Sequence, residues 1–116
     1  MKKELEKLIE QFKGSQSFLS AIGDENRQLI ILELIKKQQC ENCKGMRVNC
    51  IARKTNLSRA ATSRHLQILK DAGLVSVVRD GTMNYYFWKP DPDKLDVLKE
   101  LVEKSAILPV SVKHFD

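Results

Sequence analysis

The side chains of this 116-residue chain that could do chemistry fall into two groups. The first is three thiols. Cys40-x-x-Cys43 and Cys50 could ligate a soft metal ion or close a disulfide, and Cys50 sits at the start of a predicted helix with Arg47 nearby, a setting that favours thiolate. An odd cysteine count without a secretion signal argues against a structural disulfide framework. The bland alternative is that all three are incidental. The second group is Arg59, Ala60, Ser63, Arg64 and Gln67, which helical spacing gathers on one face. Guanidiniums there can grip phosphate or the O6/N7 edge of guanine, and hydroxyls can take either role.

Those residues need a scaffold, and the sequence writes one. A helix over residues 59–72 starts at Ser58 as its cap, sets Thr62, Leu66 and Leu69 on the inner face, and stops at Gly73, behind which Leu74 packs. His65 reads as a packing residue with one hydrogen bond rather than a titrating switch. Before it, Asn49 is the expected cap of a helix over residues 50–55, and residues 46–48 are expected to form one short strand. After it come two β-prone runs, 74–79 and 84–88, separated by Asp80-Gly81-Thr82-Met83, with Val75, Val77, Tyr85 and Phe87 expected on one sheet face. Two helices joined by a tight turn, the second exposing Ser and Arg at its start, make a helix-turn-helix.

Upstream, Leu5, Leu8, Ile9 and Phe12 stripe a first helix over residues 2–13, and a short helical turn spans 17–23. Asp24 caps a further helix reaching about residue 37. Its Leu29, Ile30, Ile31, Leu32, Leu34 and Ile35 lie nearly all round, so burial on more than one side is expected. Residues 38–45 read as a loop. A closing helix starts at Asp91-Pro92 and carries Leu95, Leu98, Leu101 and Val102 on one stripe, expected to pair with the first helix. The expected organisation is one domain over residues 1–104 and a tail over 105–116.

Net charge is +5 with a pI of about 9.2, and the excess is local. Residues 44–89 hold nine Lys/Arg against two acids, whereas the remainder holds 11 against 13. A polyanionic partner for that stretch follows. No run approaches the length of a membrane span, and the N-terminus lacks the apolar core of a signal peptide, so a cytoplasmic protein with no membrane partner is expected.

Asp24-x-x-Arg27, the string Leu57-Ser58-x-x-x-x-Ser63-x-His65-Leu66-x-x-Leu69-x-x-Ala72-Gly73-Leu74-Val75, and Arg79-x-Gly81-x-x-x-Tyr85 together resemble the ArsR/SmtB family of bacterial winged-helix repressors over residues 15–104. The resemblance implies a mainly α winged helix-turn-helix with a small β-hairpin, in the order ααα(β)αββα. It implies a homodimer through the terminal helices, that is, through Leu5, Leu8, Ile9, Phe12, Leu95, Leu98, Leu101 and Val102, bound to an imperfectly palindromic DNA operator. Ser58, Arg59, Ala60, Ser63 and Arg64 match the family's major-groove positions, and Arg79, Gly81 and Thr82 its wing.

Family members leave DNA when a metal, metalloid or oxidant binds. Here Arg47 and Asn49 stand where the metalloid site has Cys-x-Cys, and the last helix offers Asp93, Asp96, Glu100 and Glu103 without histidine, too hard a set for zinc. A metal or redox site at Cys40, Cys43 and Cys50 is the remaining candidate, against the alternative of no inducer at all. Two other classes compete with a DNA-binding regulator. A winged helix used only for protein interaction conflicts with the basic stretch, and a thiol oxidoreductase lacks the βαβ context that gives Cys-x-x-Cys meaning. No base, metal cage or phosphate loop suggests an enzyme.

Overall fold

A computed structural model describes residues 2–39, 42 and 44–110, so Cys40 and Cys43 lie outside the described residues. Six helices and one hairpin follow in order: α1 (Lys2–Gly14), α2 (Gln16–Ile22), α3 (Glu25–Lys37), α4 (Val48–Thr55), α5 (Arg59–Asp71), β1 (Val75–Asp80), β2 (Met83–Trp88) and α6 (Pro92–Ala106). This is a winged helix-turn-helix. The last helix runs past the boundary expected at residue 104, and residues 111–116 of the expected tail are outside the described ones. Among the described residues no helix is long and apolar enough to cross a membrane.

Helix boundaries are set by side chains that satisfy the free backbone groups at helix ends. Asp24 accepts from Asn26 N–H, Ser58 from Ala61 N–H at 3.1 Å, and Asp91 from Asp93 N–H with Pro92 next in line. Gly73 adopts φ +77° at the end of α5, a region an L side chain avoids. The turn between α4 and α5 uses Asn56 at φ +57°, a residue whose short amide tolerates the left-handed region.

The start of α4 departs from expectation. The helix begins at Val48, Arg47 is its cap residue without a side-chain cap bond, and Asn49 is already inside the first turn. The strand expected over residues 46–48 is a single bridge, with Met46 and Tyr86 exchanging backbone hydrogen bonds of 3.0 and 2.8 Å. Gly45 permits that approach: at φ +82° a Cβ would stand 2.8 Å from both the Phe87 ring and the Tyr86 carbonyl oxygen.

Ile30, Leu34, Ile51, Leu66, Leu69 and Leu74 are fully buried and join α3, α4, α5 and the base of the hairpin into one core. Each such side chain contributes on the order of 1.5–3 kcal/mol. Two expectations about this core are corrected. First, α3 buries one face only: Ile30, Ile31 and Leu34 point inward, while Leu29, Leu32 and Ile35 are exposed, Leu32 by 51%. Apolar residues nearly all round the helix exceed what one small domain can cover. Second, the hairpin register pairs Val75 with Trp88 and Val77 with Tyr86. Tyr86 and Trp88 therefore share the inner face with Val75 and pack on the core, and Tyr85 and Phe87 occupy the opposite face. A one-residue difference in alternation exchanges the two faces.

α1 and α6 pack together. The Gln11 amide donates to the Glu100 carboxylate, and Lys104 Nζ reaches Gln11 Oε1 at 3.5 Å. Leu8 and Leu101 are covered within the chain, whereas Leu5, Ile9, Phe12, Leu95 and Val102 remain exposed, Phe12 by 52% and Val102 by 61%. The described shape is long, 58 × 30 × 24 Å, with a radius of gyration of 17.9 Å against roughly 13 Å for a compact domain of about this size.

Candidate nucleic-acid interface

α5 is held from behind and left bare in front. Thr62 is fully buried and its hydroxyl donates to the Ser58 carbonyl at 2.8 Å, while Leu66 and Leu69 enter the core. Ser58, Arg59, Ala60, Ser63, Arg64 and Gln67 are exposed on the outer side. Gln67 donates to Asp71 at 2.8 Å, which turns it along the helix.

A second set of contacts fixes the pitch of α5. The half-buried Arg27 guanidinium donates to the Ala21 carbonyl through Nε at 2.8 Å, to the Ser20 carbonyl at 3.3 Å, and to His65 Nδ1 at 3.2 Å. Arginine has only donors, so His65 accepts through Nδ1. Among the described residues His65 thus makes the one hydrogen bond expected of it. The Asp24-x-x-Arg27 spacing gains a physical meaning here. Asp24 caps α3 and lies 3.7 Å from the same guanidinium, which ties α2, α3 and α5 at one point.

The wing extends from this platform. Asp80 and Met83 are partners, leaving Gly81 and Thr82 as a two-residue turn. Arg79 pairs across with Asn84, and its Nε donates to the Gly81 carbonyl at 3.0 Å, so part of the guanidinium braces the turn. Gly81, Thr82 and Asn84 are exposed.

Between wing and helices lies a shallow polar notch of about 120 Å³, lined by Arg47, Val48 and Asn49 at the start of α4, by Arg59 at the start of α5, and by Thr82, Met83 and Asn84. It brings together Arg59 and Thr82 from the expected set; Arg64 and Ser63 are not part of its lining. Sequence reasoning missed Arg47, Asn49 and Asn84 as its walls, and an Arg and two Asn so far apart in the chain give no signal of it. A larger cavity of about 430 Å³ sits where α1, α2 and α6 meet, with lysines and carboxylates mixed along its walls (Lys7, Glu10, Asp93, Lys94). None of the expected site residues lines it.

The charge pattern around the interface is one-sided. Among the described residues the ion pairs are Arg27–Asp24, Lys36–Glu33 and Lys104–Glu100, all outside residues 44–89. Arg47, Arg59 and Arg64 have no acidic partner among the described residues. Of the thiols, Cys50 is described: it is free, half-buried and packed against the core from the first turn of α4. No group of three His, Cys, Asp or Glu that could hold a metal is found among the described residues.

Comparison with known proteins follows the same lines. Residues 24–77 match the family described as "Bacterial regulatory protein, arsR family". The nodulation protein NolR of Rhizobium meliloti is 39% identical over 104 residues, spanning 77% of this chain and 80% of that protein. The cadmium resistance transcriptional regulatory protein CadC of Listeria innocua is 36% identical over 72 residues, 62% of this chain and 56% of CadC. The crystal structure of NolR from Sinorhizobium fredii superposes with a TM-score of 0.61 at 33% identity, covering 88% of this chain and 91% of that one.

Proposed function

The chain belongs to the arsR family of bacterial regulatory proteins and is a DNA-binding transcriptional regulator, and from that premise we propose that it works as a homodimeric repressor on an imperfectly palindromic operator. The observation that carries this reading is the exposed outer side of α5 beside the wing, where cations stand without acidic partners among the described residues. Ser58, Arg59, Ala60, Ser63 and Arg64 meet the major groove, and Arg79, Gly81 and Thr82 follow the adjacent backbone. Leu5, Ile9, Phe12, Leu95 and Val102, exposed on one chain, meet their equivalents on a second, with Leu98 beside them; Leu8 and Leu101 hold α1 to α6 from behind. The domain over residues 1–104 then acts as one unit in the cytoplasm, with no catalytic role.

Selection of bound duplexes from a random pool tests the reading. Two half-sites about 10–10.5 bp apart, centre to centre, are expected. A single unrepeated half-site, bound by a monomer, would overturn the dimeric operator.

Release from the operator is assigned to Cys40, Cys43 and Cys50, through a shared metal ion or a disulfide. The likeness to a regulator named for cadmium resistance supports a thiol-binding metal, as does the free thiol of Cys50 in the first turn of α4. Operator affinity measured for reduced, oxidised and zinc-treated protein should differ by about 1–3 kcal/mol. Equal affinities would remove the thiols from the mechanism.

A further inference from the structure

The notch between α4, α5 and the wing is a place where two guanidiniums converge with no carboxylate among the lining side chains. Arg47 and Arg59 are both exposed, and among the described residues neither is paired with an acid. Asn49, Thr82 and Asn84 complete the walls with amide and hydroxyl donors. One backbone donor is added by the sheet. Tyr86 turns its N–H and C=O outward to Met46, and Trp88 turns its own outward to the Gln38 side chain, so antiparallel alternation sets the Asn84 N–H on the same edge, toward the notch. The lining thus offers guanidinium, amide, hydroxyl and N–H donors and no anion to neutralise them.

We propose that this notch clamps a phosphate of the DNA backbone at the junction of the three reading elements, and that Arg59 serves it together with Arg47 while Arg64 reads a base. The inference rests on the DNA-binding reading and divides its arginines. Arg59, the first residue of α5, faces α4 and the wing, where a guanidinium meets backbone oxygens. Arg64 lies further along the helix, outside the lining, and is free to enter the groove. A phosphate held by α4, α5 and the turn at once fixes the angle between helix and wing on the duplex. Arg47 and Asn49, which fall where related repressors hold thiols, then belong to DNA holding rather than to inducer sensing.

The test uses the full-length protein, its selected operator and an unrelated duplex of equal length, with anisotropy titrations across a range of potassium chloride. Arg47→Ala and Arg59→Ala should each weaken binding to both duplexes by the same factor, roughly 5- to 100-fold at low salt. The double variant should lose less than the product of the two, because one phosphate is shared, and its plot of log affinity against log salt should flatten by about one unit. Arg64→Ala should lose preference for the operator while its affinity for the unrelated duplex falls less. Circular dichroism melts check that each variant is folded; both arginines are exposed, and Arg47→Lys should restore most of the affinity if a point charge suffices. An Arg47→Ala protein with unchanged affinity and salt slope on both duplexes would overturn the clamp, and a loss confined to the operator would reassign Arg47 to a base. Wild-type protein that binds neither duplex would instead overturn the DNA-binding reading itself.

Discussion

The reading region, from α4 through the wing, and the paired terminal helices are incomplete in opposite ways. In the reading region the large apolar residues of α5 that face inward are fully covered, and what is left over is positive charge: nine Lys/Arg over residues 44–89 and no ion pair among those described. In the terminal helices charge is matched, Lys104 against Glu100, and what is left over is apolar surface at Leu5, Ile9, Phe12, Leu95 and Val102. Uncovered apolar area is relieved by another protein surface and unpaired cations by a polyanion. One molecule thus displays which partner each region lacks.

Four substitutions break or sharpen that contrast. Leu66→Ala, at a fully buried position, should cost about 2–5 kcal/mol of folding stability in urea melts, independent of protein concentration. A cost below 1 kcal/mol would mean that the reading core is looser than its burial shows. Phe12→Asp should act elsewhere: dimer association measured by sedimentation equilibrium should weaken by about 2 kcal/mol or more, the loss expected when a charge replaces an interface aromatic. Unchanged association would move the interface off α1. Arg64→Ala is expected to remove about 1–3 kcal/mol of operator preference without touching the melting curve; a lowered midpoint with intact preference would make it a structural residue. Smallest is Ser58→Ala, which deletes the bond to Ala61 N–H and should lower stability by ~1 kcal/mol in the same melts. If Ser58 also meets phosphate, the loss in DNA affinity will exceed that in stability.

How much of this was legible in the sequence depends on whether the cause was local. Ser58, Asp24, Asp91 and Gly73 act on neighbours within a few residues, and the helices they bound lie where the sequence places them. Arg47 gives no capping signal and Asn49 does, so the sequence points to a start for α4 later than the Val48 observed. The wing's inner face was ambiguous because Val75, Val77 and Val78 and the run from Tyr85 to Trp88 are apolar on both alternations. Only tertiary contact with the core selects Tyr86 and Trp88. For α3, apolar residues do exceed one face, but the pattern cannot say whether the second face is covered by the same chain, and the expected burial on more than one side fails there. The notch was invisible for a related reason: its walls come from three elements, and Gly45, which lets them approach, matters only because Phe87 and Tyr86 stand where its Cβ would be.

The outer edge of β2 has a bearing on solubility. A lone two-stranded sheet normally leaves a row of backbone groups that can recruit a strand from another molecule. Here Met46 occupies that row at Tyr86, and the Gln38 amide, bonded to Trp88 N–H at 2.6 Å and to its carbonyl at 3.0 Å, imitates the next residue of a strand. One side chain and one bridged residue thus close most of an edge without a third strand. On the β2 side the wing therefore offers little template for sheet growth between molecules.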